Sequence, residues 1–322
     1  MIVLRGSEGV ASAVELLQQG ECVALPTETV YGLAADASDD DAVGKIFAAK
    51  GRPTNHPLIV HIPSAEHLDH WATDISSSAR LLAEACWPGP LTLLLRKSAS
   101  TSYAVTGGLD TIGLRVPAHP LFSAVLVAFG SGLAAPSANR YKALSPTSAE
   151  QVVDCLDGRI AAVLDGGPCE YGLESTIVDL TGEVPRIVRA GPLSRQQVQA
   201  VLGCPVEMPE EHDVIVPGNV RAHYQPRTPL IMASLEEMTG ESLPANAGYM
   251  IYSAQARARL LALGLAPDEI LQLPTDPVGY GKRLYASLHA LDQLERDVLV
   301  VEQPPTDENW AAVNDRLRRA VG

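Results

Sequence analysis

Positive charge is in short supply in this 322-residue chain. Its 24 Lys and Arg stand against 38 Asp and Glu, a formal net charge of −14 with a sequence pI near 5.0. Broad, non-specific nucleic-acid binding needs an excess of cations on one face, so that class is disfavoured, although a small basic cleft is not excluded. Cysteine is scarce as well. The five residues at 22, 86, 155, 169 and 204 are odd in number and contain no C-x-x-C. That argues against a disulfide framework or a zinc site and fits a reducing, cytoplasmic compartment. No G-x-G-x-x-G and no G-x-x-x-x-G-K-[ST] occurs, so neither dinucleotide nor P-loop binding is signalled. There is no internal repeat. The opening MIVLRGSEGV lacks an apolar segment behind a basic one, so no signal peptide is expected. Residues 117–139 carry no Asp, Glu, Lys or Arg, but Gly130-Ser131-Gly132 breaks them into a helix-length half and a short strand. They read as soluble core rather than a membrane span.

What is present describes an ordinary globular protein of roughly two domains, with 46% hydrophobic and 19% charged residues. The most informative stretch is CVALPTETVYGLAADASDDDAVGKIFAAKGRPTNHPLIVHI, residues 22–62. An apolar strand at 22–25 stops at Pro26, and small hydroxyls with one aromatic follow: Thr27, Thr29, Tyr31. Asp39 to Asp41 then open a helix, because carboxylates at a helix start meet free N–H groups and the positive dipole end. That helix ends at Lys50-Gly51, with Arg52 and Pro53 behind it. The tetrad reads as a capped helix end. It also lies between two short strands, 22–25 and 58–62, and strand ends in open α/β sheets are where ligands bind.

Further along, a helix is expected over 10–19 and a polar helical region over 66–85, with His67 and His70 on a solvated face. The strand 111–116 alternates: Ile112, Leu114 and Val116 share one face, while Thr111, Gly113 and Arg115 share the other. An arginine inside such a strand needs an anion. A structural salt bridge satisfies it, and so does a bound substrate carboxylate, which matches the guanidinium with two parallel hydrogen bonds. Capping-box spacing occurs at Thr147/Glu150 and at Ser194/Gln197. Periodicity disappears from 204 to 228, a segment that contains His223-Tyr224-Gln225-Pro226. Beyond it, strands near 230–232, 249–252, 270–273 and 298–301 alternate with helices near 254–263, 282–294 and 308–321. Such alternation implies a small parallel, doubly wound domain.

PTETVYGL, KGRP, PLIVHI, WPGPLT, GLRVPAHP, APSAN, SPT, LDGG, GLESTIVD and the Arg189-Ala190-Gly191 turn stand in one order. By these motifs the chain resembles the threonylcarbamoyl-AMP synthase (YrdC-like) family, in its longer, two-domain form. The resemblance implies an α/β fold: an open, twisted sheet with a large concave cleft over 1–205, a linker or lid over 206–228, and a Rossmann-like parallel domain over 229–322. The implied activity condenses L-threonine, bicarbonate or CO2 and ATP, with Mg2+, to threonylcarbamoyl-AMP and pyrophosphate. The product serves a tRNA-modifying transferase complex, with no need for stable nucleic-acid binding and no membrane.

The residues that match the family's sites are, on the nucleotide side, Lys50, Arg52, His56, Thr111, Ser137, Asn139, Ser145, Arg189 and Tyr224. On the threonine side they are Thr29, His61, Arg115, Ala135 and Ser175. Lys50 and Arg52 are the expected catalytic cations, and no protein-held metal is implied. Three positions depart from the family pattern: His56 in place of Asn, Tyr141-Lys142 in place of a small Ser-Gly pair, and HYQP in place of HYAP. The alternatives are an RNA-binding module of the same fold without catalysis, and a carbamoyl-transfer enzyme that uses carbamoyl phosphate.

Overall fold

The computed structural model describes residues 1–210, 212–218, 222–239, 243, 244 and 246–321. They group into two compact units. The first comprises Met1–Tyr141, Pro146–Glu170 and Glu174–Asn219; the second comprises Lys142–Ser145, Tyr171–Leu173 and Val220–Gly322.

The first unit opens with β1 (Ile2–Arg5) and α1 (Gly6–Gln18), so the helix begins four residues before its apolar periodicity does, across a polar GSEG turn. Next come β2 (Val23–Leu25), β3 (Gly32–Asp36), α2 (Asp40–Lys50) and β4 (Ile59–His61). Asp39 caps α2 by accepting the Asp41 and Ala42 N–H groups, and Gly51 closes it at φ 64°, a conformation that favours glycine. The polar helical region expected over 66–85 is helical in two pieces with a short strand between them. A short 3-10 turn leads into α3 (Leu68–Trp71), β5 (Ala72–Thr73) and then α4 (Ser77–Cys86). Trp71 turns into the core, Asp74 takes a positive φ, and Ser76 starts a new helix by capping Ala79 N–H.

The remaining elements are β6 (Leu91–Lys97), α5 (Tyr103–Thr106), β7 (Thr111–Arg115), α6 (Pro120–Phe129), β8 (Leu133–Ala134), α7 (Ala149–Leu156), β9 (Ala162–Asp165), β10 (Thr176–Asp179), β11 (Arg186–Arg189) and α8 (Arg195–Leu202). The cap of α7 is Ser148, not Thr147. Gln151 N–H goes to Ser148, and the Gln151 side chain accepts from Thr147, which shifts the expected box by one residue. Ser194 and Gln197 form the reciprocal box as expected. Among the described residues the strands make one eleven-stranded mixed sheet, ordered β1-β9-β2-β3-β8-β4-β7-β6-β10-β11 with β5 on the β6 edge. One large core covers the face that carries Val60, Leu93, Ile112 and Leu114. A second core joins α1 and α6 to β2, β8 and β9.

The segment read as linker does not behave as a tether. Glu207 bridges to Arg186, His212 meets the Val188 carbonyl, and Val216 is buried among Ile59, Leu94, Ile177 and Val188, so this part belongs to the first unit. Its few apolar residues lack a period because they cover a sheet face as an irregular strap rather than as a helix or strand.

The second unit holds β12 (Leu230–Ala233), β13 (Ala247–Ile251), α9 (Ala254–Ala262), β14 (Ile270–Gln272), α10 (Pro277–Asp292), β15 (Val298–Glu302) and α11 (Ala311–Val321). All the strand pairs are parallel, in the order β12-β15-β13-β14, as alternating strands and helices require. Two buried carboxylates organise it. Asp292 accepts from Arg227 and from the Thr228 N–H, while Glu302 accepts the N–H groups of Tyr252 and Ser253 at the start of α9. Among the described residues no helix is long and apolar enough to cross a membrane.

Candidate active site

The alternation of β7 decides where a ligand can lie. Ile112 and Leu114 enter the large core, which leaves Thr111, Gly113 and Arg115 on the opposite face. There Gly113 keeps the surface low between two neighbours. A Cβ at this position would stand 3.2 Å from Thr92 and 3.3 Å from Ile59. Thr111 and Arg115 are four residues apart, about 13 Å at strand rise. Polar side chains gather at both ends of this floor.

At the Thr111 end, α2 delivers Lys50 and the loop after it delivers Arg52 and His56. Lys50 is fully buried, and its ammonium donates to the carbonyls of Ser137 (2.5 Å) and Asn139 (2.6 Å). This ties the helix end to the turn after β8, a turn also held by Leu33 N–H on Pro136 and by Tyr141 N–H on the Lys50 carbonyl. Burial, and then the nearby Arg52, push the Lys50 pKa well below its ordinary value. Arg52 donates to the Pro57 carbonyl at 2.9 Å. His56 stands edge-on to Tyr141 with ring centroids 5.6 Å apart, and desolvation lowers its pKa. Thr111 is half-buried, Ser137 half-buried and Asn139 buried.

At the Arg115 end, β4 and β7 set His61 beside Arg115 in register. His61 stacks on Phe122, its Nδ1 is buried without a hydrogen-bond partner among the described residues, and burial followed by the Arg115 charge drives its pKa well down. The imidazole is therefore neutral at physiological pH. Ala135 donates its N–H to Ile59. Arg115 is ion-paired with Glu28 at 2.6 Å, both side chains being 4% exposed, so of the two partners open to it from sequence the internal salt bridge is present. In the Thr27–Val30 loop the Thr27 hydroxyl donates to the Val30 carbonyl at 2.6 Å. The 2.8 Å contact between the two threonine hydroxyls then makes Thr29 the donor, which leaves Thr29 acceptor lone pairs for a ligand.

Ser175 and Arg189 complete this end. Arg189 donates through Nε to the Ser175 carbonyl (3.0 Å), through Nη2 to the Ser175 hydroxyl (2.9 Å) and through Nη1 to Pro217 of the strap (3.0 Å). Thr92 lies 2.8 Å from the Ser175 hydroxyl. The turn after Arg189 presses so close that a Cβ on Gly191 would meet Thr176 N at 2.4 Å, so only glycine fits. The sequence reading missed Glu28, Thr27 and Thr92. The one signal was a carboxylate and two hydroxyls in a run otherwise fit for burial.

A family model described as telomere recombination matches residues 15–191, and one described as threonylcarbamoyl-AMP synthase, C-terminal domain, matches residues 193–322. The chain belongs to the threonylcarbamoyl-AMP synthase family. The threonylcarbamoyl-AMP synthase of Bacillus subtilis is 36% identical over 329 residues, spanning 97% of this chain and 93% of the relative. That of Pyrococcus abyssi is 35% identical over 319 residues, spanning 96% and 93%. A crystal structure of P. abyssi Sua5 complexed with L-threonine matches with a TM-score of 0.88 at 33% identity, over 99% of this chain and 97% of that one.

Twelve of the fourteen residues carried over from the threonylcarbamoyl-AMP synthase motifs lie in the first unit: Thr29, Lys50, Arg52, His56, His61, Thr111, Arg115, Ala135, Ser137, Asn139, Ser175 and Arg189. Ser145 and Tyr224 belong to the second unit. Tyr224 is buried there against His223, Tyr285 and the Arg316 guanidinium, with its backbone at φ 60°. His56 and Tyr141, two of the positions expected to depart from the family pattern, lie edge-on to each other.

Proposed function

We propose that this chain joins L-threonine, bicarbonate or CO2 and ATP into threonylcarbamoyl-AMP, with release of pyrophosphate, as the first step of threonylcarbamoyladenosine formation on tRNA. The observation that carries this reading is the full-length match to a family member crystallised with L-threonine. The polar floor supports it. At the Thr111 end, Lys50 and Arg52 are the cations for the triphosphate, with Ser137, Asn139, Thr111 and His56 beside them; Arg189 completes the first unit's nucleotide set. At the Arg115 end, Arg115 takes the threonine carboxylate. Thr29, as an acceptor, and neutral His61 face its amine and hydroxyl, together with Ser175 and the Ala135 backbone.

The reaction asks for no protein nucleophile. The threonine amine forms a carbamate whose oxygen attacks the α-phosphate, so the protein's part is positioning and charge compensation. A single cation 4 Å from a phosphate oxygen contributes about 4 kcal/mol at an effective dielectric near 20. Magnesium enters with the nucleotide. The triphosphate oxygens would hold the ion, as hard oxygen donors suit magnesium. The mixed anhydride hydrolyses easily. The strap over 212–218, acting as a lid, would protect it until a tRNA-modifying transferase takes the threonylcarbamoyl group. All five cysteines are free, which supports a cytoplasmic setting.

The test supplies ATP, Mg2+, bicarbonate and L-threonine, omits each in turn and measures pyrophosphate. Release should need all four, and release without threonine would point instead to carbamoyl transfer. Arg115→Lys keeps the charge and loses the fork. The threonine KM should rise at least tenfold, about 1.4 kcal/mol, with the ATP KM nearly unchanged. Equal losses for both substrates would assign Arg115 a structural role.

A further inference from the structure

We propose that Glu28 is the positioning residue of the amino-acid end, its carboxylate clamping the loop that carries Thr29 onto the end of β7 that carries Arg115. The inference rests on the reading of Arg115 as the carboxylate binder. Glu28 lies between Thr27 and Thr29, so wherever its carboxylate is held, the neighbouring Thr29 is held too. Oε1 accepts from Arg115 Nη2 at 2.6 Å, and Oε2 accepts the Ala118 N–H at 3.0 Å. On its other edge Arg115 donates through Nε to the Gly89 carbonyl at 3.2 Å. The guanidinium is thus fixed from two sides, and Nη1 is the nitrogen left for a ligand.

Burial makes this clamp consequential. An unpaired guanidinium in such a place would be expensive, because its hydration is gone. Every group facing it counts: His61 is neutral, Gly89 and Ala118 offer only backbone, burial keeps the nearby Cys169 a thiol, and among the described residues Glu28 is the carboxylate paired with it. Glu28 therefore compensates the Arg115 charge and holds the guanidinium aimed before the substrate arrives, and a substrate carboxylate joins as a second acceptor on the same fork.

The chemistry of the two contacts dictates the variant. Both partners of Glu28 are N–H donors, and only a carboxylate accepts at both ends. An amide turns its NH2 toward one of them in either orientation. Glu28→Gln should raise the threonine KM at least tenfold while kcat and the ATP KM stay within about threefold. The effect should overlap with that of Arg115→Lys, so that adding Glu28→Gln to Arg115→Lys costs less than a further threefold. A residue that served stability alone would lower Tm and leave the threonine KM of the folded enzyme untouched, and that result overturns the proposal. If Glu28→Gln does not fold, Glu28→Asp carries the test: it keeps the charge but is too short to bridge both donors, and an unchanged threonine KM there is equally fatal. The two readings fail separately. A raised KM in Arg115→Lys with none in Glu28→Gln removes the clamp alone, whereas no change in either variant removes the amino-acid assignment and the clamp with it.

Discussion

Lys50→Ala should lower kcat by two orders of magnitude or more, the loss typical when a charge donor aimed at a reacting group is removed. The burial of Lys50 shapes the rest of the prediction. From sequence the KGRP tetrad reads as a capped helix end, for which a cation near the last turn contributes about 1 kcal/mol or less. In the structure the ammonium is buried and holds two carbonyls of the Ser137–Asn139 turn. Alanine orphans both acceptors but also removes a desolvated charge. The net destabilisation should therefore be about 1–3 kcal/mol, a Tm fall of a few degrees to about ten. Lys50→Met keeps the volume and separates packing from charge; it should fold at least as well as Lys50→Ala and be as inactive. The depressed pKa adds a signature. The unfolded chain holds this proton more tightly, so the Lys50 contribution to stability is greatest above pH 10.5 and is lost as pH falls through the lower native value. Wild-type stability should climb more steeply toward alkaline pH than that of Lys50→Met, and ATP, by supplying the anion, should flatten the difference. A Lys50→Ala enzyme that melts early yet turns over normally would make the lysine a fastener of the turn and nothing more.

How much could be read from sequence followed the range of the interactions. Local rules carried well. Asp39 and Gly51 bound α2, Ser194 and Gln197 close their box, and the alternation of β7 separates Arg115 from the core-facing leucine and isoleucine. The second unit's parallel sheet followed from strands alternating with helices. What stayed hidden depends on contacts between distant parts of the chain. Arg115 visibly needed an anion, but its partner lies 87 residues upstream in a loop that has no period to mark it. β3 escaped notice because GLAAD is short, small and buried nearly throughout, which suits a strand and a tight loop equally. The strap escaped for a related reason. Val216 is buried by the sheet it covers, and a segment that packs without regular structure shows neither helical nor strand spacing. The site itself was legible mainly as ordered motifs. The physical reading picked out Lys50 and Arg52 by their place between two strand ends and Arg115 because a cation inside a strand demands an anion; it did not pick out Thr29 or Ser175, whose side chains are common in any loop.

Arg189→Lys should cut kcat/KM for ATP and for threonine together, each by about a hundredfold, and in this it should differ from Arg115→Lys. The reason is that one guanidinium holds the Ser175 carbonyl and hydroxyl through Nε and Nη2 and the Pro217 carbonyl through Nη1. An ammonium is a point donor and cannot reproduce that fork. On the threonine side the Ser175 hydroxyl would lose the donor that fixes its direction and would keep only Thr92, 2.8 Å away. On the phosphate side the charge survives but its aim does not. The third contact adds a consequence that neither substrate reports. With Nη1 gone, the strap over 212–218 loses a polar tie to Arg189 and leans more on its apolar anchor among Ile59, Leu94, Ile177 and Val188 and on the His212 contact to Val188. A loosened strap admits water to the anhydride, so Arg189→Lys should release more free AMP per pyrophosphate than wild type, and a protease should cut the strap sooner. Val216→Ser weakens the same strap from its apolar side without touching a charge. It should reproduce the AMP leak and the cleavage while leaving the substrate KM values within a few-fold. If Arg189→Lys instead impairs ATP alone, with threonine binding, AMP release and strap cleavage unchanged, Arg189 is a phosphate cation only and the link between strap and site is wrong.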